Sequence, residues 1–248
     1  MECIISCEHA SNRVPQQFAH LFQDKEEILS LHQAYDHGAA TLSKRLAKSF
    51  KSSAYLGSIT RLLIDLNRSP SNRKSLYSTY SKKLDINARE LLLEKYYLPY
   101  REKVEGAVAG IIDKGQPVLH ISVHSFTPAK NGKIRKADIG MLYDPARKCE
   151  KDICAFLVKF LQIKMISLRV RKNYPYLGKT DGFTSFLRKQ HPAYSYAGIE
   201  IEINQNLLIK NENKKMKIED LLTEGIKIIL QLQEFHQVEN LLSVKVDS

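Results

Sequence analysis

Apolar residues recur along the chain in two rhythms. Short runs with period-two alternation, or apolar throughout, predict strands at Glu2–Ser6, Arg61–Leu66, Pro117–Val123, Ile139–Tyr143, Met165–Val170 and Ile199–Ile203. Longer stretches with helical spacing predict helices at Asp36–Phe50, Asn87–Lys114, Pro145–Ile163 and Lys217–Glu239. Asp144 followed by Pro145 reads as an N-cap and first helical residue, because proline has no N–H to waste there. Pro99 should kink or split the second helix. Strands alternating with helices predict an α/β protein with a mainly parallel or mixed sheet. No repeat or linker interrupts the pattern, so residues 1–248 read as one domain. The polar, basic stretch Lys210–Lys217 reads as a solvated loop before the last helix.

Composition narrows the class. Of the 248 residues 43% are hydrophobic, enough for a core, and 11 Gly and 8 Pro exclude collagen-like or low-complexity chains. No apolar run approaches the roughly 18 to 20 residues that cross a bilayer. Met1–Cys7 carries acidic Glu2 and no basic region, so it does not read as a signal peptide, and a cytoplasmic location is expected. Cys3, Cys7, Cys149 and Cys154 fit neither zinc-finger nor CxxC spacing and read as core thiols. The formal charge of +11 suits an anionic partner, whether nucleic acid, acidic lipid or a small substrate.

Four segments carry chemistry. In IISCEHASNRVP a strand gives way to a loop at His9, where the carboxyl ends of strands in α/β sheets bind ligands. Parity puts Cys3 and Cys7 on the side of His9. VLHISVHSF places His120 and His124 on one face, with His124 at the strand end and His120 deeper, as a hydrogen-bonded core or supporting histidine. Two such histidines can converge on a metal, and an acidic third ligand would leave a position open for water. RLLIDLNRSP brings Arg61, Asp65, Asn67 and Arg68 together, either as surface ion pairs or as a fork for a substrate carboxylate with Asn67 orienting it. GIEIEIN sets Glu200, Glu202 and Asn204 on one face, and such acids within an apolar strand need a partner or a task. Beside a metal, Glu202 could take a proton from water and return it to a leaving amine.

Taken in order, His9-Ala10-Ser11-Asn12, Asp36-His37-Gly38-Ala39, Ile64–Arg68, His124-Ser125-Phe126, the loop Asn173–Thr184 and Glu202-Ile203-Asn204-Gln205 resemble the N-formylglutamate amidohydrolase family. The resemblance spans nearly the whole chain and extends distantly to zinc carboxypeptidases. It implies a three-layer α/β/α fold with a twisted, eight-stranded mixed sheet. It further implies zinc, or another divalent metal, on His9 and His124, substrate carboxylate on Asn67 and Arg68, and Glu202 as general base and then acid, while the residues themselves leave Arg61 or Arg68 as the carboxylate fork. From the Asn173–Thr184 loop it implies substrate contacts by Tyr176, Asp181 and Thr184. The carboxypeptidase pattern has a glutamate ligand three residues after the first histidine, where this chain has Asn12. Asp36 is the substitute third ligand, with helix capping as its alternative role, and Asn12 the weaker one. The implied reaction cleaves a small anionic N-acyl amino acid, N-formylglutamate above all, to formate and glutamate, a step of histidine breakdown. Rival readings are another amidase or peptidoglycan-type carboxypeptidase, or a polyanion binder using the basic segments Lys130–Lys136 and Lys210–Lys217. Those segments lack interleaved aromatics for stacking on bases, so no nucleic-acid partner is expected, nor a membrane.

Overall fold

The computed structural model, which describes residues 1–210, 212–232 and 234–238, has eight strands and eight α-helices among those residues. They are β1 (Glu2–Cys7), α1 (Ala39–Ser49), β2 (Ala54–Leu56), α2 (Arg73–Leu76), α3 (Ile86–Leu92), α4 (Leu98–Ile112), β3 (Val118–Phe126), β4 (Ala129–Lys130), β5 (Lys133–Ile134), β6 (Ile139–Leu142), α5 (Lys148–Lys164), β7 (Val170–Lys172), α6 (Phe183–Gln190), β8 (Tyr196–Asn204), α7 (Gln205–Ile209) and α8 (Glu212–Leu230). Six strands form one sheet in the order β2-β1-β3-β8-β6-β7, and β4 and β5 make a separate hairpin. The main sheet among the described residues is thus six-stranded rather than eight-stranded. It is mixed: β6 runs antiparallel to β8 and the other pairs are parallel.

Alternation decides the layers. Cys3, Ile5, Cys7, Leu119, Ile121, Val123, Ile199, Ile201 and Ile203 share one face of the three central strands and pack against α1, α5 and α8 in the main core. The opposite face is apolar only toward the amino ends of β3 and β8, where Val118 and Tyr196 pack with Val104 and Val108 of α4 and Phe183 and Leu187 of α6. Toward the carboxyl ends the same face carries Ser122, His124, Glu200 and Glu202, all buried. Helices on both faces cover the sheet, and the polar end of one face is left to build a site.

Several expectations shift. Arg61–Leu66 is a series of turns, not a strand. Its Leu62, Leu63, Ile64 and Leu66 are buried among Phe18, Phe22, Leu76 and Tyr97, and an apolar run buried by a folded loop looks in sequence like a buried strand. Met165 caps α5, and pairing in that region starts only at Val170. Asp144 accepts from the Ala146 N–H in a turn, and the helix begins later with Arg147 as N-cap. Pro99 lies in the first turn of α4, just after a π-helical stretch, Leu93–Tyr97, that joins α3 to α4, so the long helix is divided there by a change of helix type with no intervening loop. The basic stretch expected as a loop is largely the first turns of α8. Glu239, the expected end of that helix, lies outside the described residues. No helix among the described residues is long and apolar enough to cross a membrane.

Candidate active site

Three strand ends deliver the chemistry. β1 stops at Cys7, and the turn that follows abandons its alternation, so Glu8 and His9 both reach the polar face while Cys3 and Cys7 stay in the core on the other side. The parity that grouped His9 with the cysteines therefore fails at the strand end. On β3, His124 stands in register with Glu202 of β8, which in turn is opposite Gly140 of β6. Asp36 arrives from the loop before α1. That helix is capped by Gly38, whose φ of +79° suits glycine, while the Asp36 carboxylate turns away to the His124 ring and the Ser125 N–H. Capping is not its task.

His9, Asp36 and His124 each offer a ligand atom within 4.8 Å of the others. Carboxylates aim both rings. His9 Nε2 lies 2.7 Å from Asp65 Oδ1, and His124 Nε2 lies 3.1 Å from Glu8 Oε2 and 3.0 Å from Ser122 Oγ. Both Nδ1 atoms then face the same oxygen, Asp36 Oδ2, at 3.5 Å from His9 and 2.9 Å from His124. Rings fixed at one nitrogen by an acceptor and presenting the other inward are the arrangement that orients imidazole ligands. Glu8 is itself held by the hydroxyls of Ser122 (2.6 Å) and Tyr100 (3.0 Å).

The donors suit a cation. Glu202 Oε2 is buried without a hydrogen-bond partner, and Asp36 Oδ1, also without a hydrogen bond, has only the Arg61 guanidinium and the His32 ring at 3.4 Å, so both carboxylate oxygens can accept a further positive group. Burial works against charge on Asp36, Glu8 and Asp65, but the neighbouring His9, His124 and arginines outweigh it and hold all three below the ordinary carboxylate range. Burial likewise opposes charge on His124, yet Asp36 and Glu8 overcome it and raise its pKa well above the usual value. Two imidazoles and a carboxylate are the donor set of open divalent-metal sites. Glu202 has the opposite environment: burial, with Asp36 and Glu200 adding to it against His124, pushes it up to about 7.

The remaining expected residues are distributed around a cavity of about 350 Å³ that these groups line. Arg61 spends its nitrogens on the Gln33 and His32 carbonyls (3.2 and 2.9 Å) and on His9 Nδ1 (3.0 Å), with Asp36 Oδ1 at 3.4 Å. Arg68 gives one nitrogen to the Asp181 carbonyl and is a third exposed. Asn67 accepts from the Phe183 N–H (2.6 Å) and sets its amide nitrogen 3.4 Å from His124 Nε2, tying α6 to the site. The Asp181 carboxylate receives the Ser69 N–H and Asn72 Nδ2, so it organises the loop that bears Arg68. Tyr176 is exposed at the rim. Thr184 is buried behind Glu200, to which it donates at 2.7 Å, and does not line the cavity. Asn12 is outside the cluster, its amide donating to the Leu29 carbonyl. His120 bridges Ser6 and Tyr196 (2.8 Å each) in the core, and burial lowers its pKa to about 4.

Glu8, Ser122, Asp65 and Gln205 complete the site without having been expected to orient its rings. Glu8 was the most legible of them, since an acid beside a strand-end histidine is costly to bury without a cationic neighbour. Gln205 follows Asn204 and puts its amide 2.7 Å from His32 Nδ1.

A mixed sheet with helices on both sides and a polar cluster at the carboxyl ends of its central strands defines a layered α/β fold with its site at the strand ends. The crystal structure of gene product Atu2144 from Agrobacterium tumefaciens shares it with a TM-score of 0.79 and 28% identity, over 93% of this chain and 90% of that one. N-formylglutamate amidohydrolase from Ralstonia eutropha JMP134 has the same fold at a TM-score of 0.70 and 18% identity, over 93% of each chain. The sequence model of the N-formylglutamate amidohydrolase family matches residues 1–209, and the chain belongs to that family. No curated protein matches it in sequence.

Proposed function

We propose that the protein is a divalent-metal amidohydrolase, with zinc the first candidate, that removes the N-formyl or a similarly small acyl group from an acidic amino acid. N-formyl-L-glutamate plus water would give formate and L-glutamate. The observation that carries the proposal is the convergence of His9, Asp36 and His124 beside the buried Glu202 Oε2, which has no hydrogen-bond partner. A divalent cation on these three residues would supply Lewis acidity, polarising the amide carbonyl and acidifying a water molecule.

The chain's own groups do the rest. Glu202, with a pKa close to neutrality, accepts the proton of the attacking water as the C–O bond forms. It then delivers that proton to the amide nitrogen as the C–N bond breaks, so base and acid are one residue. Glu8 and Asp65 keep the two rings aimed. The substrate carboxylate goes to Arg68, which is a third exposed, lines the cavity and meets Asp65 only at 3.9 Å, with Asn67 orienting and Arg61 and Lys130 adding positive charge to the cavity. Tyr176 and the Asp181 loop close the rim, and Thr184 acts through Glu200. Metal analysis of the purified protein, followed by formate release from N-formyl-L-glutamate, tests the reading. Absence of bound metal together with unchanged turnover in chelator would overturn it.

A further inference from the structure

A second cavity of about 640 Å³ adjoins the catalytic one, and the two share His32, Arg61, Lys130 and Tyr176 as lining. Lys130 and Tyr176 are exposed side chains, so part of what stands between the cavities is movable side chain and not packed backbone. The lining of the second cavity includes Arg61, Lys130, Arg135, His32 and His37, and among the described residues it has no aspartate or glutamate. Arg135 has no carboxylate partner there. It sits 5.5 Å from the Tyr176 ring and 5.7 Å from the Phe126 ring, and donates only to Thr127 and to the Tyr176 hydroxyl at 3.2 to 3.4 Å. Contact with two aromatic rings and these long hydrogen bonds to neutral groups hold the guanidinium in place, while no carboxylate neutralises its charge. The catalytic cavity alone, at the small end of ligand pockets, already suits an N-acyl amino acid.

We propose that this second cavity is a further subsite, which takes a carboxylate carried on an extension of the substrate, with Arg135 as its principal contact. The inference rests on the deformylase reading and enlarges its substrate class to N-acyl amino acids bearing an additional anionic arm. That arm could hang from either end of the scissile amide. On the amine side the substrate is a short acidic peptide, and on the acyl side an acyl chain that ends in a carboxylate.

The test compares kcat/KM for N-formyl-L-glutamyl-L-glutamate with its neutral twin, N-formyl-L-glutamyl-L-glutamine, and N-glutaryl-L-glutamate with the corresponding terminal amide. One charged member should exceed its twin by roughly ten- to hundredfold, the worth of a charge-assisted contact, and which pair responds tells which end carries the arm. Arg135→Met should erase the preference while turnover of N-formyl-L-glutamate stays unchanged, and Arg135→Lys should keep part of it. Equal rates within both pairs, or a loss in Arg135→Met that is alike on every substrate, would overturn the subsite. Should N-formyl-L-glutamate itself not be cleaved, the deformylase reading fails separately. Calorimetric binding of glutamyl-glutamate against glutamyl-glutamine, and of glutarate against glutaramate, then still decides the subsite, with equal affinities in both pairs counting against it.

Discussion

Replacing Glu202 by glutamine keeps the size and shape of a buried side chain whose Oε2 has no hydrogen-bond partner, and removes its charge and its ability to take up and release a proton. Positioned acid–base groups supply about 10²- to 10⁴-fold, so turnover should fall by that factor, about 2.7 to 5.5 kcal/mol of barrier. The loss should have a pH signature. Burial, reinforced by Asp36 and Glu200, pushes Glu202 up to about 7, and the reactive form is the deprotonated one. With that value roughly one site in ten is ready at pH 6 and nine in ten at pH 8, so kcat/KM should climb about tenfold per pH unit on the acid side and then level. A cation on His9, Asp36 and His124 favours the carboxylate, which moves this limb to lower pH in the loaded enzyme. In Glu202→Gln the limb should vanish, with metal content unchanged. Formate release, followed by a coupled dehydrogenase assay from pH 5 to 9 alongside metal analysis, reads all of this. Turnover within about tenfold of the parent would assign the base elsewhere, with Glu200 next to test, and loss of metal would make Glu202 a ligand.

Asp36→Ala should lose bound metal with activity, since Gly38 and not Asp36 caps α1; retained metal would remove Asp36 from the ligand set. Metal affinity should weaken as pH falls, because His124 must give up the proton that Asp36 and Glu8 help it to hold, and calorimetry in buffers of different ionisation enthalpy should detect proton release on binding. Arg68→Met should raise KM for N-formyl-L-glutamate roughly ten- to hundredfold more than for a neutral N-formyl amino acid, and Arg68→Lys should restore only part; equal losses on both would leave the arginine structural. Arg188, buried with both Glu150 oxygens 2.9 to 3.0 Å from its Nε, is a purely structural pair, and Arg188→Met should cost about 3 to 5 kcal/mol in urea unfolding by stranding the glutamate.

What the sequence determined by itself was whatever period and strand-end position encode. VLHISVHSF and GIEIEIN announce two central strands that are apolar on one face and polar on the other, and the register of the paired strands then sets His124 opposite Glu202 on the polar face. The helix patterns and the alternating order likewise fixed the α/β class. Tertiary structure decided what lies beyond the reach of local spacing. Whether the apolar run Arg61–Leu66 is strand or loop depends on Phe18, Leu76 and Tyr97, which surround it from distant parts of the chain. Whether Asp36 caps a helix or faces two imidazoles depends on where its loop crosses β3. The selection of Glu8 and Asp65 to aim the rings has the same origin. A buried charge acquires its role from the partners that make its burial affordable, and those partners are brought together only when the sheet closes.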